Sequence, residues 1–230
     1  MTIEIVMTHL AALAARTVAA LSEPVGRRRA ARRFVQLFLG LVAYGIAIAI
    51  LVRAGLGLNP WDVFHQGVAA KTGLSFGTVL ALTGGVVLLL WIPLRQRPGF
   101  GTVANIFVIG FAADLALTMI PAAHALLWQL AMLAGGILLL GASGAAYLAS
   151  GLGAGPRDGL MTGLNAATGW PIRRARTVIE LTVLAIGWAL GGSIGIGTIV
   201  FALAIGPVVQ FFLPWFAVPE RAPLRPAPCC

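Results

Sequence analysis

The sequence predicts an all-α membrane protein with six transmembrane helices as two inverted three-helix repeats, each with a short re-entrant or interfacial helix. Three observations predict it. The chain of 230 residues is 59% hydrophobic and only 10% charged, whereas soluble domains run near 25% charged. Six apolar stretches, about 34–52, 74–94, 100–121, 125–149, 175–192 and 195–217, approach the roughly 20 residues that cross a bilayer. A string of Gly, Pro, Asp and Thr also recurs in one register 96 residues on. Gly55-Leu56-Gly57-Leu58-Asn59-Pro60-Trp61-Asp62 returns as Gly151-Leu152-Gly153-Ala154-Gly155-Pro156-Arg157-Asp158, and Thr72-Gly73 returns as Thr168-Gly169. Gly99, Gly101 and Thr102 return as Gly195, Gly197 and Thr198. Apolar residues match by chance in such a chain; these residues do not.

The N-terminal segment, 1–30, is read as cytoplasmic and either amphipathic or disordered. Its apolar run is preceded by Glu4 and followed by arginines, the wrong order for a cleaved signal peptide. Met7 offers a second start. Repeat 1 covers 31–121 and repeat 2 covers 122–217. A Pro-rich tail, 218–230, ends in Cys229-Cys230, read as two cytoplasmic thiols rather than a lipidation site.

Charge sets the orientation. With a cytoplasmic N-terminus, only Arg53 and Lys71 of the 16 basic residues fall outside, a strong positive-inside bias. The net charge of +9 is therefore a topology signal, and nucleic-acid binding is excluded as its explanation.

Between the first two spans of each repeat lies a segment too polar to cross and too patterned for a plain loop. Asn59 suits an N-cap, Pro60 the first helical position and Gly73 the C-terminal end. This predicts a helix at about 60–72, and its counterpart predicts one at 156–168. Each is about 18 Å long, half a bilayer. Re-entry of both segments, N-termini inward, would line a pathway, because irregular backbone at depth must be buried or face water. The competing reading lays both helices flat in the interface.

The candidate pathway residues follow from that placement. On the first short helix they are Asn59, Asp62, His65 and Gln66; on the second, Asp158 and Thr162. Asp62 with Gln66, and Asp158 with Thr162, are spaced to stack on one face. His65 is weighed against a merely hydrated histidine. Asn105 and Asp114 add polar groups inside the third span, where intramembrane acids usually face a cavity or partner. A bridge from Asp114 to Arg53 or Lys71 is the bland alternative. Glu180 is spaced to pair with Arg176. Glycine pairs such as Gly135-Gly136 need only close helix packing.

Asn59-Pro60 at the head of a half-length helix invites comparison with aquaporins, but neither copy keeps Asn-Pro-Ala, and a water channel is rejected. The block from Gly55 to Asp62, with Thr72 to Thr78, Trp91 to Leu94, Gly99 to Thr102, and the second-half segments Gly151 to Asp158 and Gly195 to Gly206, resembles the YczE-like membrane proteins, grouped with the YyaS/YitT type. The resemblance covers about 32–217. It implies a multipass protein of the bacterial inner membrane, with no catalytic or binding residues to carry over.

No metal-spaced His/Cys/Glu cluster, nucleophile elbow or nucleotide-fold glycine motif is present, so no enzyme, metal or cofactor is expected. The expected function is a transporter or permease for a small polar or amphiphilic solute, working by alternating access of inverted repeats. The rival is a non-transporting membrane partner that stabilises or regulates another protein. An intramembrane lipid-modifying enzyme using Asp62 or Asp158 with His65 ranks below both. The lipid bilayer is one partner and an unknown small solute the other; a homo-oligomer or protein partner stays open.

Overall fold

The computed structural model describes residues 27–217. The expectations for the rest of the N-terminal segment, the Pro-rich tail and its two cysteines lie outside the described residues. Among the described residues eight helices follow in order: α1 (Arg27–Ala54), α2 (Pro60–Thr72), α3 (Phe76–Trp91), α4 (Phe100–Met119), α5 (Leu126–Ala149), α6 (Pro156–Thr168), α7 (Ile172–Ala189) and α8 (Ile196–Phe216).

The two short helices fall where their caps predict. Asn59 accepts the Asp62 N–H at 3.0 Å, and Gly73, at φ +72°, closes α2 through its own N–H to Ala69 O. Gly155 and Gly169 bound α6 in the same way, although Gly155 supplies no capping side chain. The six longer helices overlap the six apolar stretches, but they are not equivalent. Only α1, α4, α5 and α8 are long and apolar enough to cross a membrane alone, and α2 with α3 forms a fifth candidate bent by 114°. At 16 residues α3 is about 24 Å long, just short of a bilayer core. Arg173, Arg174, Arg176 and Glu180 lower the apolarity of α7.

Helix α1 is the hub. Leu37, Leu41, Ile48 and Leu51 are fully buried where it packs on α4 and α5. Gly45 permits one of these contacts: a Cβ there would lie 2.7 Å from Ile109 O. α8 packs on α5. The outer surface carries exposed Leu39, Phe107, Leu127, Leu203 and Trp215 among many other large apolar side chains. Such a belt is stable only in an apolar solvent.

The two halves exchange contacts reciprocally. Gly197 N–H donates to Leu56 O at 2.8 Å, and Gly101 N–H donates to Leu152 O at 2.8 Å. These are the same bond written twice, since the repeat offset carries residue 56 to 152 and 101 to 197. α2 packs on α7 of the other half, and α6 packs on α3. Gly57 and Gly153 hold positive φ (+108° and +136°), and a Cβ on either would strike the opposite half, at Gly195 N and Thr102 Oγ1 respectively.

Reciprocity fails most plainly at the contact between α3 and α4. α3 packs on α4, where a Cβ on Gly77 would lie 2.0 Å from Gly110 O. The corresponding α7 does not pack on α8, and a Cβ on Gly206, the counterpart of Gly110, would meet open space. The sequence explains the gap: Arg173 and Glu180 stand on α7 where α3 has Gly77 and Gly84.

Candidate functional site

The N-termini of α2 and α6 meet across one cavity of about 80 Å³. Its polar lining is Tyr44, Trp61, His65, Thr83, Asn105, Tyr147, Arg157 and Asp158; Ile48, Leu80, Val87 and Ile109 close the apolar side. The cavity thus draws on both repeats and on four of the long helices.

Asp62, fully buried, organises the α2 side. Its backbone N–H is capped by Asn59 Oδ1, and its Oδ2 accepts from Asn59 Nδ2. Its Oδ1 lies 3.3 Å from His65 Nδ1 and 3.6 Å from an Arg157 guanidinium nitrogen. A carboxylate at a helix N-terminus is favoured by the free N–H groups and partial positive charge there. His65 stacks edge-on against Phe76, centroids 5.8 Å apart.

The α6 side is built differently because Gly155 stands where α2 has Asn59. Asp158 accepts instead from Tyr147 Oη, 3.2 Å away on α5. Arg157 turns toward the other half, its guanidinium carbon 5.0 Å from the centre of the Trp61 ring, within cation–π range. Trp91 fixes the α6 entry by donating from Nε1 to Pro156 O at 3.0 Å. The Trp61 indole N–H is buried with no acceptor.

Of the residues singled out in the sequence, Asn59, Asp62, His65, Asn105 and Asp158 come together in or directly behind this cavity. The other three do not. Gln66 leaves Asp62 and accepts the Ser193 N–H at 2.7 Å. Thr162 donates to Gly159 O of its own helix at 3.2 Å and lines a separate open cleft beside Trp91 and Arg97. Asp114 accepts from Ser75 Oγ (2.5 Å) and Gly77 N–H (2.7 Å) and so caps α3; Arg53 donates to Leu117 O instead of bridging to it. His65 is 1% exposed, not hydrated at a surface. Glu180 pairs with Arg176 Nε at 2.8 Å, as its spacing indicated.

Sequence reasoning missed Arg157, Trp61, Tyr44 and Tyr147. By sequence Arg157 belongs with the topology-setting arginines, yet it contacts Asp62 and Trp61. One signal was available: Trp61 and Arg157 are repeat counterparts, and each directly precedes an aspartate. The tyrosines lie on apolar helices with no local pattern to mark them.

The comparisons with known proteins follow the same extent of chain. Residues 31–214 match the model described as "Family of unknown function (DUF6198)". An uncharacterized protein of Haemophilus influenzae is 41% identical over 77% of this chain and 81% of its own length. The uncharacterized membrane protein YczE of Bacillus subtilis is 34% identical over 79% of this chain and 86% of its own. The uncharacterized protein YyaS of Bacillus subtilis is 25% identical over 79% and 92% respectively. No solved structure matches. With the apolar helices and the exposed apolar belt, these similarities make the chain a multipass membrane protein.

Proposed function

This chain belongs to the DUF6198 family, with YczE-like membrane proteins among its relatives, and from that premise we propose that it is a transporter for a small polar solute, working by alternating access. The observation that carries the reading is the cavity enclosed by the N-termini of two half-length helices, one from each repeat. In secondary transporters with inverted repeats, substrate sites lie at the repeat interface where half-helices end.

Three further features support the proposal. Reciprocal bonds such as Leu56–Gly197 and Leu152–Gly101 are the signature of a two-fold relation between halves. If α3 and α7 also cross, each half holds three spans, and an odd number inverts the second half in the membrane. The axis then lies in the membrane plane, and α2 and α6 enter from opposite sides. The arginine distribution supports a cytoplasmic position for both termini, with the bacterial inner membrane as the expected setting.

The test is thiol labelling with membrane-impermeant reagents on single cysteines along 54–74 and 150–174, in a background lacking Cys229 and Cys230. Labelling deep in both segments, from opposite faces, is the expected result. Labelling confined to the surface ends of both segments overturns the transport proposal and leaves a non-transporting membrane partner as the better reading.

A further inference from the structure

The hydrogen-bonding capacity left over in the cavity is mostly donor capacity. Asp62 is hydrogen-bonded to Asn59 and His65 through its two oxygens, and Arg157 approaches it only as an ion pair. One oxygen of Asp158 accepts from Tyr147. In contrast, Arg157 donates no hydrogen bond to any described residue; its contact with Asp62 is 3.6 Å and its other contact is the face of Trp61. The Trp61 ring is 6% exposed and its N–H has no acceptor. A buried donor without a partner is costly, and the Trp61 N–H is one; the partly exposed Arg157 guanidinium lies over the same ring, and Asn105 lines the same cavity.

The charge balance narrows the ligand. With His65 counted as neutral, Asp62, Asp158 and Arg157 sum to one negative charge, and two helix N-termini of about half a positive charge each cancel it. A neutral site disfavours a simple anion or a simple cation. Its groups are nevertheless polarised, with a guanidinium and an indole N–H in one place and the Asp158 carboxylate in another.

Building on the transport reading, we propose that this cavity takes a small amino acid zwitterion. The carboxylate seats on Arg157 and the Trp61 N–H, and the ammonium on Asp158. A guanidinium matches a carboxylate bidentately, and such charge-assisted bonds discriminate against solutes that leave buried groups unpaired. Asp62 and Asn59 act as positioning residues: they fix the start of α2 and the direction from which Arg157 is approached. The cavity volume of about 80 Å³ favours the smallest members of the class, glycine and alanine.

The experiment uses the full chain in nanodiscs, with Cys229 and Cys230 replaced by Ser and Thr83→Cys as a reporter in the cavity wall. N-ethylmaleimide labelling is timed with glycine, L-alanine, acetate or ethylammonium. Glycine and alanine are expected to slow labelling roughly tenfold more than acetate or ethylammonium, the factor of about one lost charge-assisted bond. Arg157→Lys and Asp158→Asn are expected to abolish the difference while the protein still elutes as a folded monodisperse species. Equal protection by acetate or ethylammonium alone overturns the zwitterion and leaves transport standing. A reporter that labels but is protected by none of the four solutes also overturns the zwitterion. A reporter inaccessible in every condition overturns both proposals.

Discussion

Trp61 and Arg157 hold the same position in the two copies of the repeat, and they touch, guanidinium carbon to ring centre, at 5.0 Å. A residue that meets its own counterpart lies close to the two-fold that relates the two copies. Asp62 and Asp158 follow them in sequence but have gone separate ways, one bonded to Asn59 and the other to Tyr147. The two copies keep their backbone plan and have diverged in what it carries.

The contact itself is testable. Trp61→Cys combined with Arg157→Cys, in a background lacking Cys229 and Cys230, is expected to cross-link within one chain using a short bifunctional thiol reagent. Each single variant should take up one reagent without a link. Mass spectrometry of the digested protein reads the outcome; two labelled but unlinked cysteines would contradict the contact.

Gly57 and Gly153 should behave alike. Each has a backbone that L side chains rarely adopt, and each faces the opposite half at under 3.0 Å from an added Cβ. Gly57→Ala and Gly153→Ala are each expected to cost about 1–3 kcal/mol, the usual penalty of overpacking. Thermal unfolding in detergent measures this, and a tolerated change at either position would break the reciprocity.

Gly159 lies under the indole of Trp91, where an added Cβ would come within 2.0 Å of the ring. Gly159→Ala should therefore destabilise by roughly 1–3 kcal/mol, and Trp91→Leu in the same chain should recover part of that loss. A melting temperature unmoved by Gly159→Ala would show that α6 and α3 are not packed this closely.

Asp114 separates a structural acid from a pathway acid. Asp114→Ala removes the acceptor for Ser75 Oγ and the Gly77 N–H and should cost about 1–2 kcal/mol, as the loss of a helix cap does. The labelling rate of Thr83→Cys should stay unchanged. A large change in that rate with no loss of stability would put Asp114 back on the pathway.

The local parts of this architecture were legible. Asn59, Pro60 and Gly73 bound α2 at the residues their chemistry requires, and the repeat transferred that boundary to Gly155, Pro156 and Gly169. What stayed hidden depends on contacts far apart in sequence. Nothing near Asp114 reveals that its oxygens reach the start of α3, 37 and 39 residues away. Arg157 looks like any basic residue after an apolar run until the fold brings it over the Trp61 ring. Positive-inside counting is blind to which arginines turn inward. The gap between α7 and α8 was written in Arg173 and Glu180, but only a structure shows which helix those residues would have met.

The bond from Gly197 to Leu56 has a consequence for biosynthesis. The first linker finds its partner only in α8, long after it is itself made, whereas Gly101 is already waiting when Leu152 emerges. The first half must therefore hold an unfinished segment through most of translation, and no prefix that ends before α8 can complete the first linker's contacts. Assembly becomes a closing step that follows insertion of α8, and a product truncated before residue 195 should be handed to quality control rather than persist as a stable half.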